Sequence, residues 1–120
     1  MSIEKNYYVI VGYDLTGYAT EKYEDWRWTD EGEKYLCNQS KGNIQLFDDP
    51  MSGNYLYFGY ILAEGDQYHF PTTYLNILKP SQQAPYVQYK LINLIDSGVI
   101  DKKILDANPS YELIIFEECR

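Results

Sequence analysis

Residues 43–63 read NIQLFDDPMSGNYLYFGYILA. Two β-prone runs, Asn43–Phe47 and Asn54–Ala63, flank Asp48-Asp49-Pro50-Met51-Ser52-Gly53. That linker is made of turn formers: Asp side chains bond their own backbone, Pro fixes φ and Gly supplies positive φ. The pattern predicts an antiparallel hairpin. Side chains alternate along a strand, so Tyr55, Tyr57, Gly59 and Ile61 share one face, and Leu56, Phe58, Tyr60 and Leu62 the other.

Upstream, Tyr7–Leu15 (YYVIVGYDL) is rich in β-branched and aromatic residues and apolar on both sides, as expected of a central strand with both faces covered. Gly17 ends it. Thr20–Gln39 has mixed signals: Thr20 or Thr29 can cap a short helix, whereas Trp26, Trp28 and Gly32 argue against one long helix. The expectation is a loop followed by two helical turns over Asp30–Cys37. Downstream, Glu64-Gly65-Asp66 is expected to turn the chain, with Gln67–Phe70 and Thr72–Leu78 extending the sheet.

Pro80-Ser81 is expected to open the main helix, with Pro85 in its first turn. Ala84, Val87, Leu91, Leu94 and Ile95 form its core-facing stripe, and Gly98 its left-handed cap. After Asn108-Pro109, Tyr111–Glu117 (YELIIFE) reads as a closing strand. The predicted class is α+β: a mixed, mainly antiparallel sheet of about four to five strands with one main helix on a face. All 120 residues fit a single compact domain, 1–120.

Tyrosine accounts for 14 residues, which points to a half-buried layer or an adhesive face rather than to more core. Net charge is −8 from 18 acidic and 10 basic residues. A surface this acidic disfavours nucleic acid, whose phosphates need Lys and Arg, and equally an anionic membrane face. Basic partners are favoured. The charge is also local. Asp14, Glu21, Glu24, Asp25, Asp30, Glu31 and Glu33 face only Lys22 and Arg27, while Asp48, Asp49, Glu64 and Asp66 have no basic residue between them. No secretory leader pattern and no membrane-length apolar run occurs. With two separated cysteines, Cys37 and Cys119, the default expectation is cytoplasm with reduced thiols.

Chemistry is sparse. The lone histidine, His69, sits beside Phe70 and Pro71 and lacks a second catalytic partner apart from Cys37. One His and two distant Cys do not make a zinc site. Asp48-Asp49 and Glu64/Asp66 lie at opposite ends of a strand, roughly 30 Å apart at about 3.3 Å per residue, too far for one cation. Neither common phosphate-binding glycine motif is present. No catalytic residue, metal or cofactor is therefore assigned, and the chain is expected not to be an enzyme.

One constellation stands out: Glu21-Lys22-Tyr23-Glu24-Asp25-Trp26-Arg27-Trp28-Thr29-Asp30-Glu31. It interleaves interface-anchoring Trp and Arg with carboxylates that steer a basic partner. The candidate binding residues are Glu21, Glu24, Asp25, Trp26, Arg27, Trp28, Asp30, Glu31, Glu33, Asp48 and Asp49. In the competing reading both tryptophans cover the sheet beneath while the acids point to water.

Ile44–Gly65 (IQLFDDPMSGNYLYFGYILAEG), with the tyrosine-rich start and the acidic closing strand, resembles the small, acidic, uncharacterised phage and prophage proteins of Gram-positive bacteria. The resemblance is one of size, composition and texture over the whole chain, and no residue's role carries over. It implies a phage accessory protein in the host cytoplasm that inhibits a basic, nucleic-acid-handling defence protein, as a mimic of DNA's phosphates. The alternatives are a nucleotide or small-molecule binder with an aromatic pocket, or a virion assembly protein. Oligomeric state is open.

Overall fold

The computed structural model describes residues 5–36, 43–49, 55–66, 68, 79–108 and 110–119. The hairpin forms as the sequence dictates: β2 (Ile44–Asp48) lies antiparallel to β3 (Leu56–Asp66), with Leu46 opposite Phe58. Its turn, 50–54, falls outside the described residues. β3 also pairs antiparallel with β1 (Lys5–Asp14), which in turn pairs antiparallel with β4 (Glu112–Cys119). The order is β2-β3-β1-β4, so β1 is central, as its two apolar faces require.

β3 runs longer than expected. Glu64-Gly65-Asp66 does not turn the chain but stays in the sheet opposite Asn6–Tyr8. The reason is a register shift: Val9 faces Ala63 while Ile10 faces Ile61, leaving Leu62 as an extra residue. A bulge of this kind bends and twists a strand without ending it. The strands expected over Gln67–Phe70 and Thr72–Leu78 lie outside the described residues apart from Tyr68.

On one face lies α3 (Lys79–Asp96), whose Ala84, Val87, Leu91 and Leu94 are buried. The last three pack with Tyr13, Leu15, Leu46, Leu56 and Phe58. Gly98 follows at φ +81, the left-handed position that glycine takes without a Cβ penalty. Pro85 sits in the second turn of α3 rather than the first, on its exposed side. The helix starts earlier than the Pro80-Ser81 signal suggested and gives up one backbone bond there. α4 (Ile104–Ala107), a single turn with no sequence signature, adds buried Ile104 to the same core.

The opposite face carries a second, aromatic cluster. Tyr8 lies 4.8 Å from Phe47 and 5.4 Å from Phe116, and Tyr55 stacks on Tyr57 at 5.1 Å, ring centre to ring centre. Most of the described tyrosines form the half-buried layer that composition suggests; Tyr8, Tyr13 and Tyr23 are buried, while Tyr68, Tyr86 and Tyr89 are displayed. On β4 the face shared with α3 stays open, with Leu113 and Ile115 exposed. No described helix is long and apolar enough to cross a membrane.

Gly12 and Gly59 face each other across β1 and β3. A Cβ on Gly12 would lie 1.9 Å from the Phe58 carbonyl oxygen and 2.5 Å from the Gly59 Cα. Backbone cannot yield as a side chain does, so Gly12→Ala is expected to destabilise the fold by about 3 kcal/mol, the upper range of forced overpacking. Urea denaturation of the variant measures this.

Candidate functional site

The acidic segment leaves β1 at Asp14, whose Oδ1 accepts the Thr16 N–H at 3.0 Å. Gly17, at φ +86, turns the chain. Tyr18–Thr20 then runs beside the stretch after α3: Asp101 N–H donates to the Tyr18 carbonyl at 2.7 Å, and Thr20 N–H to that of Val99 at 3.0 Å. The base of the segment is thereby fixed to the core.

Two single turns follow, α1 (Tyr23–Trp26) and α2 (Asp30–Glu33). They replace the loop and two-turn helix expected from sequence. Thr29 is the cap between them: its Oγ1 accepts from Gly32 N–H at 3.1 Å and donates to the Trp26 carbonyl at 2.6 Å. Gly32 sits against α1, where a Cβ would be 2.2 Å from the Trp26 carbonyl oxygen. Tyr35 and Leu36 then meet the outer edge of β2, through the Leu46 N–H bond to the Tyr35 carbonyl at 2.6 Å. That isolated Leu36–Leu46 bridge is parallel, beside a sheet whose strand pairs are all antiparallel.

Glu21, Glu24, Asp25, Asp30, Glu31 and Glu33 are all exposed, forming an acidic ridge. The two tryptophans divide the roles that the sequence left open. Trp26 is half-buried, 5.9 Å from Tyr23 and 5.7 Å from Tyr35 by ring centres. Trp28 is 73% exposed, with the Arg27 guanidinium 4.9 Å over its ring.

Arg27 reaches inward. Its Nη2 lies 2.9 Å from Oδ2 of Asp48, and the Tyr23 hydroxyl donates to the same oxygen at 3.0 Å. Both charged side chains are mostly buried, at 15% and 18% exposed. This ion pair joins the ridge to the Asp48–Asp49 corner. Glu64 and Asp66, at the far end of β3, are not part of it. Burial, reinforced by the adjacent Asp48 carboxylate and its hydrogen bond, holds the Tyr23 phenol far above the ordinary value of 10.0. Sequence reasoning missed Tyr23, because nothing local signals a partner 25 positions away.

Cavities flank the ridge. One, of about 370 Å³, is lined by Thr16, Tyr23, Glu24, Arg27, Asp48 and Asp49, with Tyr55 and Leu56 behind them. Another, of about 360 Å³, lies among Trp26, Glu31, Tyr35, Asn93, Asp96 and Ser97. Carboxylates line both, which disfavours phosphate-bearing ligands. Among the described residues no group of three or more His, Cys, Asp or Glu converges as a metal site would. Cys37 and His69 lie outside the described residues. No protein-family model, curated protein or solved structure matches the chain.

Replacing Arg27 by Met strands a mostly buried carboxylate, and a loss of about 1–3 kcal/mol is expected in chemical denaturation. Tyr23 gives a pH signature. Its unfolded-state phenol ionises near pH 10 while the folded one keeps its proton, so its contribution is complete below about pH 10 and falls as pH rises further. Tyr13, Tyr35 and Tyr57, raised first of all by burial, act in the same direction. Stability should therefore decline as pH rises above roughly 10, and less steeply in Tyr23→Phe. Denaturation midpoints across that range decide it.

Proposed function

We propose that this chain is a non-catalytic binding protein that presents its acidic ridge, tied to the half-buried Asp48–Asp49 corner, to the basic surface of a nucleic-acid-handling protein. The observation that carries this reading is the Arg27–Asp48 ion pair. Carboxylates distant in sequence become one fixed surface through it, with Trp28 standing exposed in their midst. A large aromatic ring amid charge is the composition of an interface anchor, and surrounding like charges steer an oppositely charged partner.

Competition for a groove that otherwise holds phosphates is the mode of action: the acids imitate a phosphate array, and the protein binds no nucleic acid itself. The resemblance to small acidic phage proteins supports an accessory inhibitor acting in the host cytoplasm. Asp48 serves this surface as its internal support, since Arg27 and Tyr23 both engage its Oδ2. The exposed acids and Trp28 make the contact.

Affinity purification from host lysate at low and high ionic strength tests this. A basic, nucleic-acid-binding partner should be recovered at low salt and largely lost at high salt; a partner indifferent to salt, or none, removes the basis for mimicry. Trp28→Ala should weaken capture by about 2 kcal/mol or more while lowering stability by only about 0.5–1 kcal/mol, the contribution of an exposed cation–π contact to Arg27.

A further inference from the structure

We infer that β4 is the contact edge of a homodimer, in which two copies join their sheets by antiparallel pairing of β4 with β4 about a two-fold axis normal to the sheet. This contact is independent of the acidic-surface reading above. β4 is the last strand in the order β2-β3-β1-β4, and among the described residues no strand lies outside it. It carries none of the devices that keep an edge strand from pairing further. Over Glu112–Cys119 there is no Lys and no Pro, and the register with β1 runs without a bulge. The other edge of the sheet differs: there Leu36 bridges to Leu46, and the Leu46 N–H donates to the Tyr35 carbonyl. β4 also displays Leu113 and Ile115 on one face, at 56% and 78% exposed, beside Val11 and Val9 of β1.

The occupant is a second copy because the strand is complementary to itself. A two-fold normal to the sheet keeps each face on its own side, so paired positions differ by an even number. Centred on Ile114, the pairing sets Leu113 against Ile115 of the second copy twice over, and the two exposed aliphatic side chains cover each other. Glu112 then lies opposite Phe116 and Glu117 opposite Tyr111, so no carboxylate stands directly against another. A centre one residue later sets Glu117 against Leu113. One residue earlier, only Glu112–Ile114 of each strand would overlap. Net charge does not forbid the contact. The −8 of each copy falls largely on residues 14–33 and on Asp48 and Asp49, and β2, which ends at Asp48, is the strand farthest from β4. In the joined sheet the two β2 strands stand roughly 34 Å apart at about 4.8 Å per strand, several times the screening length of ~8 Å at physiological salt. The dimer therefore carries one Asp48 corner at each end. Overlap of Glu112–Phe116 is a small contact beside the roughly 1,200–2,000 Å² of a stable interface, so the association is weak and reversible.

Sedimentation equilibrium of the full chain, from about 10 μM to about 1 mM, tests this. A reversible monomer–dimer equilibrium is expected, as tight or tighter at high salt because the two copies carry like charge. A chain that stays monomeric to about 1 mM, species larger than a dimer, or association that salt dissolves overturns the inference. Ile115→Lys places a charge where Leu113 of the second copy would pack, and should weaken the dimer at least about tenfold. Gln88→Lys adds the same charge on the exposed side of α3 and should leave association unchanged. Undiminished association of I115K that is folded by circular dichroism also overturns the inference. Directly opposed strand residues lie within disulfide reach. Copies carrying L113C and copies carrying I115C, each in a C37S/C119S background, should therefore cross-link to one another in preference to themselves. I115C linking mainly with itself overturns the Ile114-centred register.

Discussion

A single partly buried ion pair organises the surface of this protein. Arg27 and Asp48 belong to segments whose own charges repel each other, and each lies at the edge of the core. Taking them out of water is costly, and the cost is offset only because Tyr23 adds a second donor to the same carboxylate oxygen and Trp28 lies under the guanidinium. The pair therefore does more to fix position than to add stability. Without it the ridge of α1 and α2 would still have the packing of Tyr23 and Trp26 and the Thr20–Val99 contact to hold it, and the Tyr23–Asp48 hydrogen bond as its remaining side-chain tie to the Asp48 corner.

The sheet beneath makes that corner rigid. β1 is buried between two neighbours and covered by side chains on both faces, by the α3 core on one side and by the Tyr8–Phe47–Phe116 cluster on the other. The close approach of Gly12 and Gly59 lets β1 and β3 draw together. β2, which ends at Asp48, inherits its position from this pairing. The carboxylate that receives Arg27 is thus set by backbone hydrogen bonds, whereas the guanidinium that reaches it is set by a short capped turn.

Periodic and punctuating signals carried most of the fold into view. The hairpin, the central strand, the stripe of α3, the Gly98 cap and the closing strand all follow from alternation, helical spacing or turn chemistry. What was not legible depended on distant contacts. The Leu62 bulge keeps Glu64–Asp66 in the sheet because Asn6–Tyr8 is there to pair with, which no local window contains. Pro85 is tolerated inside α3 because it lies on the exposed side of a helix whose other face is buried. For the site, composition marked the acids and tryptophans, but only folded contacts separate Trp26, which meets Tyr23 and Tyr35, from exposed Trp28, and nothing local singles out Tyr23 within the marked segment. The acidic tracts also divide by strand geometry rather than by sequence, since Asp48 and Asp66 stand at opposite ends of β3.

The position of β1 also has a kinetic meaning. Val11 pairs with Tyr60 on one side and with Leu113 on the other, so the central strand finds neither partner among its near neighbours in the chain. Closing such loops costs entropy before the contacts repay it, which slows assembly. The β2–β3 hairpin is the sheet's local unit, and it already contains Asp48. Docking of β1 brings with it the segment that leaves its end, carrying Tyr23 and Arg27 to that carboxylate. In this topology the acidic surface can be completed only after the sheet's long-range pairing is made, so an incompletely folded chain does not display it as one surface.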